Sequence, residues 1–66
     1  MRLRLRDLRE DNDLTQSAVA AYLHIRQNTY SQYENGQRQI PLESLSILAD
    51  FYNTSVDYLM FRTNEK

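Results

Sequence analysis

Apolar residues recur at helical spacing over most of the chain. Leu45, Leu48, Ala49 and Tyr52 fall at i, i+3, i+4 and i+7, the stripe of an amphipathic helix. That helix is expected over residues 41–52. Pro41 suits its first helical position, where the missing N–H costs nothing, and Glu43 suits the positive end of the helix dipole. Ser55 reads as the N-cap of a short following helix that carries Val56, Leu59 and Met60 on one face. At the front, Met1, Leu5 and Leu8 repeat at i, i+4 and i+7, which predicts a helix from about Arg2 to Asp11. The alternation in "RLRLR" also resembles a strand, but nothing else in the chain could pair with it. Leu3 then lies off the main stripe and is expected to be half exposed.

Between these elements lies "LTQSAVAAYLHIRQNTYSQYENG". Thr15 is a good N-cap, and "QSAVAAYL" continues as an alanine-rich helix with Val19, Ala20 and Leu23 inward. "HI" must turn the chain. "RQNTYSQYEN" then runs as helix until Gly36, the only glycine of the chain, which suits the left-handed C′ position. Two helices joined by a few residues form a helix-turn-helix unit. At about 100° per residue, with Tyr30 at zero, Tyr33 falls near 300° and Arg26 near −40°, on the same side. Asn28 falls near 160°, Gln32 near 200° and Asn35 near 140°, so the face opposite the tyrosines is made of carboxamides. Thr29 and Ser31 flank it, and Gln27 is expected to be exposed at its N-terminal end.

Glu and Lys would be better helix formers on a solvated face than Asn, Ser or Thr. Carboxamides offer donors and acceptors together, which matches the base edges of the DNA major groove. From spacing alone, a recognition surface and a plain uncharged face both fit. Tyr30 and Tyr33 could be stacking platforms for single-stranded nucleic acid, but helical spacing makes them core residues more simply.

Composition narrows the classes. Sixty-six residues make one domain, with a core expected over about 2–61 and a tail at 62–66. No cysteine is present and His24 is the sole histidine, which removes disulfides, structural zinc and thiol chemistry. With no glycine-rich phosphate loop and no Ser/His/Asp set to assemble around a cleft, the chain is not expected to be an enzyme. No cofactor and no small-molecule substrate are expected. The N-terminus has no apolar signal-peptide stretch and no run is long enough to span a membrane, so no membrane role is expected and the location read is cytoplasmic. The basic front could suggest a membrane-surface helix, but its apolar stripe is needed for the core. The net charge is −1, with arginines outnumbering acids in the first ten residues and acids collecting after residue 40. A locally positive binding face is permitted.

"LTQ", Ala20, "LHI", "TYSQYENG", "IPLESLSILADFYNTSVDYL" and "RT" resemble, in order and spacing, the Cro/repressor-type helix-turn-helix family (the xenobiotic-response-element, or XRE, group) from about Leu5 to Thr63. The resemblance implies an all-α, five-helix, lambda-repressor-like domain whose third helix enters the major groove of double-stranded DNA. It implies base contacts from Gln27, Asn28 and Gln32. It implies backbone contacts from Gln16, through its side chain and the start of its helix, and from Asn35 and Arg38. Thr29 and Ser31 become phosphate or secondary base contacts, and Glu34 a local structural bond. The implied function is a transcriptional regulator, a repressor in the family's commoner mode. The alternative is an antitoxin or a protein-docking module of the same fold. Tyr58, Met60 and Phe61 form an apolar cluster expected to contribute to a homodimer, and any signal would come from a partner protein or from the protein's own concentration.

Three positions depart from the family pattern. His24 replaces a glycine that needs positive φ, with strain of about 1 kcal/mol. Arg26 replaces a serine N-cap worth about 1 kcal/mol and either reaches a phosphate or is a solvated charge. Phe61 replaces a glycine, so the last helix either continues or presents an apolar side chain.

Overall fold

The computed structural model describes residues 3–61, 63 and 64 and places five helices there: α1 (Leu5–Asp11), α2 (Gln16–Tyr22), α3 (Gln27–Asn35), α4 (Leu42–Phe51) and α5 (Val56–Leu59). No strand occurs among the described residues. Leu5 and Leu8 from α1, Val19 and Ala20 from α2, Tyr30 and Tyr33 from α3, Leu45, Leu48 and Ala49 from α4, and Leu59 from α5 meet in one buried cluster. Each large side chain buried there contributes about 1.5–3 kcal/mol relative to exposure. Ile40, in the α3–α4 connection, completes it. Leu3 and Leu23 lie partly buried at its edge, as does Tyr52, whose phenol burial pushes up to about 12.

The N-caps divide as their side chains dictate. The Thr15 hydroxyl accepts a hydrogen bond from the Ala18 backbone N–H at 3.0 Å, and the Ser55 hydroxyl accepts one from Tyr58 N–H at 3.0 Å. Arg26, ahead of α3, makes no side-chain cap bond. Because it precedes the first helical residue in extended backbone, its helical projection onto the Tyr30 side does not hold, and its side chain is exposed. Pro41 is likewise the extended N-cap of α4 and not its first helical residue. Its N–H-free ring closes a connection whose direction is set by Ile40 entering the core.

α1 starts later than expected. Met1 and Arg2 lie outside the described residues, but Leu3 and Arg4 are described and are not helical. The cause is a tie to α5. The Arg4 backbone N–H donates to Leu59 O at 2.8 Å, and its guanidinium lies 4.1 Å from the Tyr58 ring centre and 4.2 Å from that of Phe61. The same guanidinium donates to Thr63 O and Asn64 Oδ1. Arg4 therefore ties the two ends of the described chain together while standing as the N-cap of α1, its carbonyl accepting from Leu8 N–H at 3.1 Å. Of the expected tail, Arg62, Glu65 and Lys66 lie outside the described residues.

All five helices end on a left-handed residue: Asp13, His24, Gly36, Asn53 and Phe61, with φ of 56°, 60°, 77°, 55° and 59°. Four of these ends close in the same way. Leu14 N–H reaches Arg9 O, Ile25 reaches Ala20 O, Gln37 reaches Gln32 O and Thr54 reaches Ala49 O, at 2.8–3.0 Å. These are the 6→1 bonds of the Schellman motif. With one glycine in the chain, Asp, His and Asn occupy positions they tolerate better than most side chains, and Phe61 occupies one that penalises a bulky residue. Phe61 thus stops α5 and presents its ring to Arg4. His24→Gly is expected to raise stability by about 1 kcal/mol, a rise of about 4–8 °C in Tm for a domain this small. Gly36→Ala is expected to lower stability by a similar or larger amount. Thermal denaturation of both variants checks the pair, and equal Tm values would contradict the strain assigned to His24.

Candidate nucleic-acid interface

The amide face of α3 forms because the opposite face is consumed by the core. Tyr30 is fully buried and Tyr33 nearly so. Burial raises the Tyr30 phenol far above its ordinary value, and the neighbouring Glu34 carboxylate adds to the rise. Gln27, Asn28 and Asn35 are exposed, while Thr29, Ser31 and Gln32 are half-buried. The connection 23–26 turns α3 across α2 through the left-handed His24. This brings Gln16, Gln27, Asn28, Ser31, Gln32 and Gln37 around one open polar hollow of about 460 Å³.

An ion pair fixes this arrangement from behind. The Glu34 side chain is 2% exposed and the Arg9 side chain 13%. Arg9 Nε donates to Glu34 Oε2 at 2.7 Å, Arg9 NH2 donates to Oε1 at 3.3 Å, and Arg9 NH1 donates to Leu14 O at 2.9 Å. Gln16 Nε2 donates to Glu34 Oε1 at 3.2 Å. The bonds link α1, α2 and α3 and satisfy both oxygens of the carboxylate, the condition under which a buried charge pair is tolerated. Burial alone would raise the Glu34 pKa. The bond from Arg9, the proximity of the Tyr30 hydroxyl and the bond from Gln16 outweigh it and hold the carboxyl below its ordinary 4.5. The Arg9 guanidinium is raised, chiefly by its bond to Glu34. The Tyr30 hydroxyl faces that carboxylate without completing a hydrogen bond of good geometry.

Five of the expected contact residues, Gln16, Gln27, Asn28, Ser31 and Gln32, line the hollow together. Arg26, Thr29, Asn35 and Arg38 are outside its lining. Arg26 and Arg38 are exposed and, among the described residues, neither forms an ion pair. The structure narrows one expectation. One N–H of the Gln16 carboxamide is committed inward to Glu34, so a single amide hydrogen remains for an outward bond. Glu34 is the structural residue expected of it. Gln37 was missed by sequence reasoning, although the signal was present: the closure after Gly36 folds the Gln37 N–H back onto Gln32 O and brings its side chain to the hollow. Ser17 was also missed. Its Oγ donates to Gln27 Oε1 at 3.2 Å, a contact between helices that no spacing rule displays. Tyr58, Met60 and Phe61 belong elsewhere: Met60 borders a separate apolar hollow with Leu3, Ile40, Leu42 and Leu45, and the two rings flank Arg4. No group of His, Asp or Glu able to hold a metal ion occurs among the described residues, and none of their helices is long and apolar enough to cross a membrane.

The helix-turn-helix family model matches residues 5–59. The chain belongs to the helix-turn-helix family. The five helices of the described residues, with α2 and α3 as the paired unit, are the lambda-repressor-like arrangement that the resemblance implied. It is 39% identical over 62 residues to the uncharacterized HTH-type transcriptional regulator YobD of Bacillus subtilis, an alignment covering 94% of this chain and 55% of that protein. It is 38% identical over 63 residues to the HTH-type transcriptional regulator AnsR of the same organism, with 96% and 54% covered. It is 39% identical over 57 residues to the cryptic phage CTXphi transcriptional repressor RstR of Vibrio cholerae, with 86% and 51% covered. The chain spans about half the length of these relatives. No solved structure matches it.

The Glu34 shift sets a pH dependence. A carboxyl whose folded pKa is depressed stabilises the fold above its unfolded value and loses that contribution as pH falls through the folded value. Stability is expected to hold from neutrality to the ordinary 4.5 and to fall progressively below it. Glu34→Gln, which leaves the Arg9 charge without its partner, is expected to cost on the order of 3 kcal/mol at pH 7 and to flatten this acid limb. Urea unfolding at pH 7 and pH 3.5 measures both. An acid limb unchanged in Glu34→Gln would assign it to other carboxyls.

Proposed function

We propose that the protein is a sequence-specific, double-stranded-DNA-binding transcriptional regulator that acts in the cytoplasm by occupying an operator, in the manner of a repressor. The observation that carries this reading is the outward carboxamide face of α3, with Gln27 and Asn28 exposed over two buried tyrosines. The names of the relatives support it, two being regulators and one a repressor. α3 lies in the major groove with Gln27, Asn28 and Gln32 on base edges. Gln16, through its remaining amide hydrogen, and Arg26, Thr29, Ser31, Asn35 and Arg38 bond phosphates and fix the register. Its work is binding, and no cofactor takes part.

The active species is a homodimer. One such unit makes few contacts, whereas two related by a twofold axis read half-sites about 34 Å apart. The surface best suited to the second copy surrounds Met60, where Leu42 is 69% exposed at the rim of an apolar hollow of about 250 Å³. The faces of Tyr58 and Phe61 that hold Arg4 are already used within the protomer, so these residues flank that surface instead of forming its centre. Sedimentation is expected to give a dimer at tens of micromolar and a monomer for Leu42→Glu, whose exposed site leaves the fold intact. A wild-type monomer at that concentration would contradict the dimer.

Selection of bound duplexes from a random pool tests the function directly, and a twofold-symmetric site is expected. Gln32→Ala is expected to cost about 1–3 kcal/mol on the selected duplex and to relax preference at one base pair. Arg38→Ala is expected to weaken every duplex alike and to lower the salt slope by about one. Equal losses on selected and random DNA for Gln32→Ala would remove it from the base-reading set.

A further inference from the structure

We infer that Arg4 is a positioning residue of the self-association surface, holding open the apolar hollow that receives Leu42 of a second copy. The inference rests on the homodimer reading above and names what fills that surface. The hollow, of about 250 Å³, has two walls. Ile40, Leu42 and Leu45 form one, from the connection after α3 and the start of α4. Leu3 and Met60 form the other, and Arg4 sets both. Leu3 directly precedes it in the chain. Met60 lies between two residues that Arg4 grips. The Leu59 carbonyl accepts from Arg4 N–H at 2.8 Å, and the Phe61 ring centre lies 4.2 Å from the guanidinium. The Tyr58 ring closes on the same guanidinium at 4.1 Å. α5 has four residues and is followed by a left-handed Phe61, so it is too short to hold its own end by local bonds. Without Arg4 the second wall loses the group that fixes it.

The occupant follows from self-complementarity. A twofold contact uses the same patch on both copies, so that patch must carry a projection and the recess that accepts it. Leu42, 69% exposed, supplies the projection at the rim of the recess. A charge near a twofold axis faces its own copy at close range, and none of the side chains lining the hollow is charged. An uncharged centre that includes methionine is also the composition of interface cores. The two hollows share no lining residue, so the contact does not use the carboxamide face of α3.

The test is sedimentation equilibrium of the wild type, Leu42→Ala, Arg4→Lys, Arg4→Ala and the Arg4→Ala/Leu42→Ala double variant. Helix content and Tm are checked for each. Leu42→Ala is expected to weaken the dimer by about tenfold, as a central apolar anchor does. Arg4→Ala is expected to weaken it by at least about as much. Arg4→Lys keeps a cation for the two rings but loses the fork that reaches Thr63 O and Asn64 Oδ1, and is expected to weaken it about threefold. In the Arg4→Ala background Leu42→Ala is expected to cost less than about threefold, because the recess it would enter is no longer held. Thr15→Ala is the control: it removes the cap of α2, lowers the Tm, and is expected to leave the dimer constant at the wild-type value. A wild-type dimer constant in the Arg4 variants overturns the inference, and should Arg4→Ala not fold, Arg4→Lys alone decides. Full additivity of Arg4→Ala and Leu42→Ala overturns it too, as does an equal weakening in Thr15→Ala, which would assign the effect to general stability. A monomeric wild type would instead overturn the homodimer reading, so the two failures are distinguishable.

Discussion

The Arg9–Glu34 pair is the constraint on which the rest of this structure depends. A domain of this size buries only about 60% of its unfolded surface, and its apolar cluster alone does not determine how α1, α2 and α3 are angled. The carboxylate of Glu34 does, because its two oxygens receive bonds from Arg9 on α1 and Gln16 on α2 while its backbone belongs to α3. A pair this deep adds little net stability over an apolar substitute, but losing either partner strands a charge. Its contribution is to geometry. It holds the base of the recognition face, and the side chain it recruits from α2 is one that lines the hollow.

The second constraint is conformational. Five short helices in so short a chain need a tight reversal after each, and the left-handed residue is the device used each time. Asp, Asn and His bear that conformation at modest cost, and at four of the five ends the bonds that follow recover the last carbonyls of the helix. At His24 this reversal directs α3 across α2. At Gly36 it brings Gln37 back over α3. Two of these left-handed residues, His24 and Gly36, therefore set where the recognition side chains lie.

Much of this was legible in the residue pattern, because the signals were local. The tyrosine spacing on α3, the Thr15 and Ser55 caps and the glycine at position 36 each act within about one turn of helix, where sequence and structure correspond directly. The start of α1 was not legible. Its shift comes from Arg4 pairing with Leu59, Tyr58 and Phe61, contacts from the far end of the chain that outweigh local helix propensity. The same reason hid Ser17, whose partner lies on another helix. The dual use of Gln16 was hidden for a related cause: a carboxamide has two donors, and sequence does not say which way each points.

The charge distribution bears on how such a surface gains affinity. Most of the non-specific attraction of proteins to DNA comes from displaced counterions, roughly one per cation that meets a phosphate. Near α3, only Arg26 and Arg38 are exposed cations without an ion pair among the described residues, and the chain as a whole carries −1. On the proposed reading, one protomer would therefore bind random DNA weakly and depend on its carboxamides for what affinity it has. That combination favours discrimination, because a surface with little electrostatic attraction loses most of its binding when base contacts fail. It also makes a second copy more than an addition. Joining two weak readers on one duplex turns the second contact into an intramolecular step, raising affinity without new cations. A nearly neutral carboxamide face and a twofold assembly are thus two parts of one solution to selective binding.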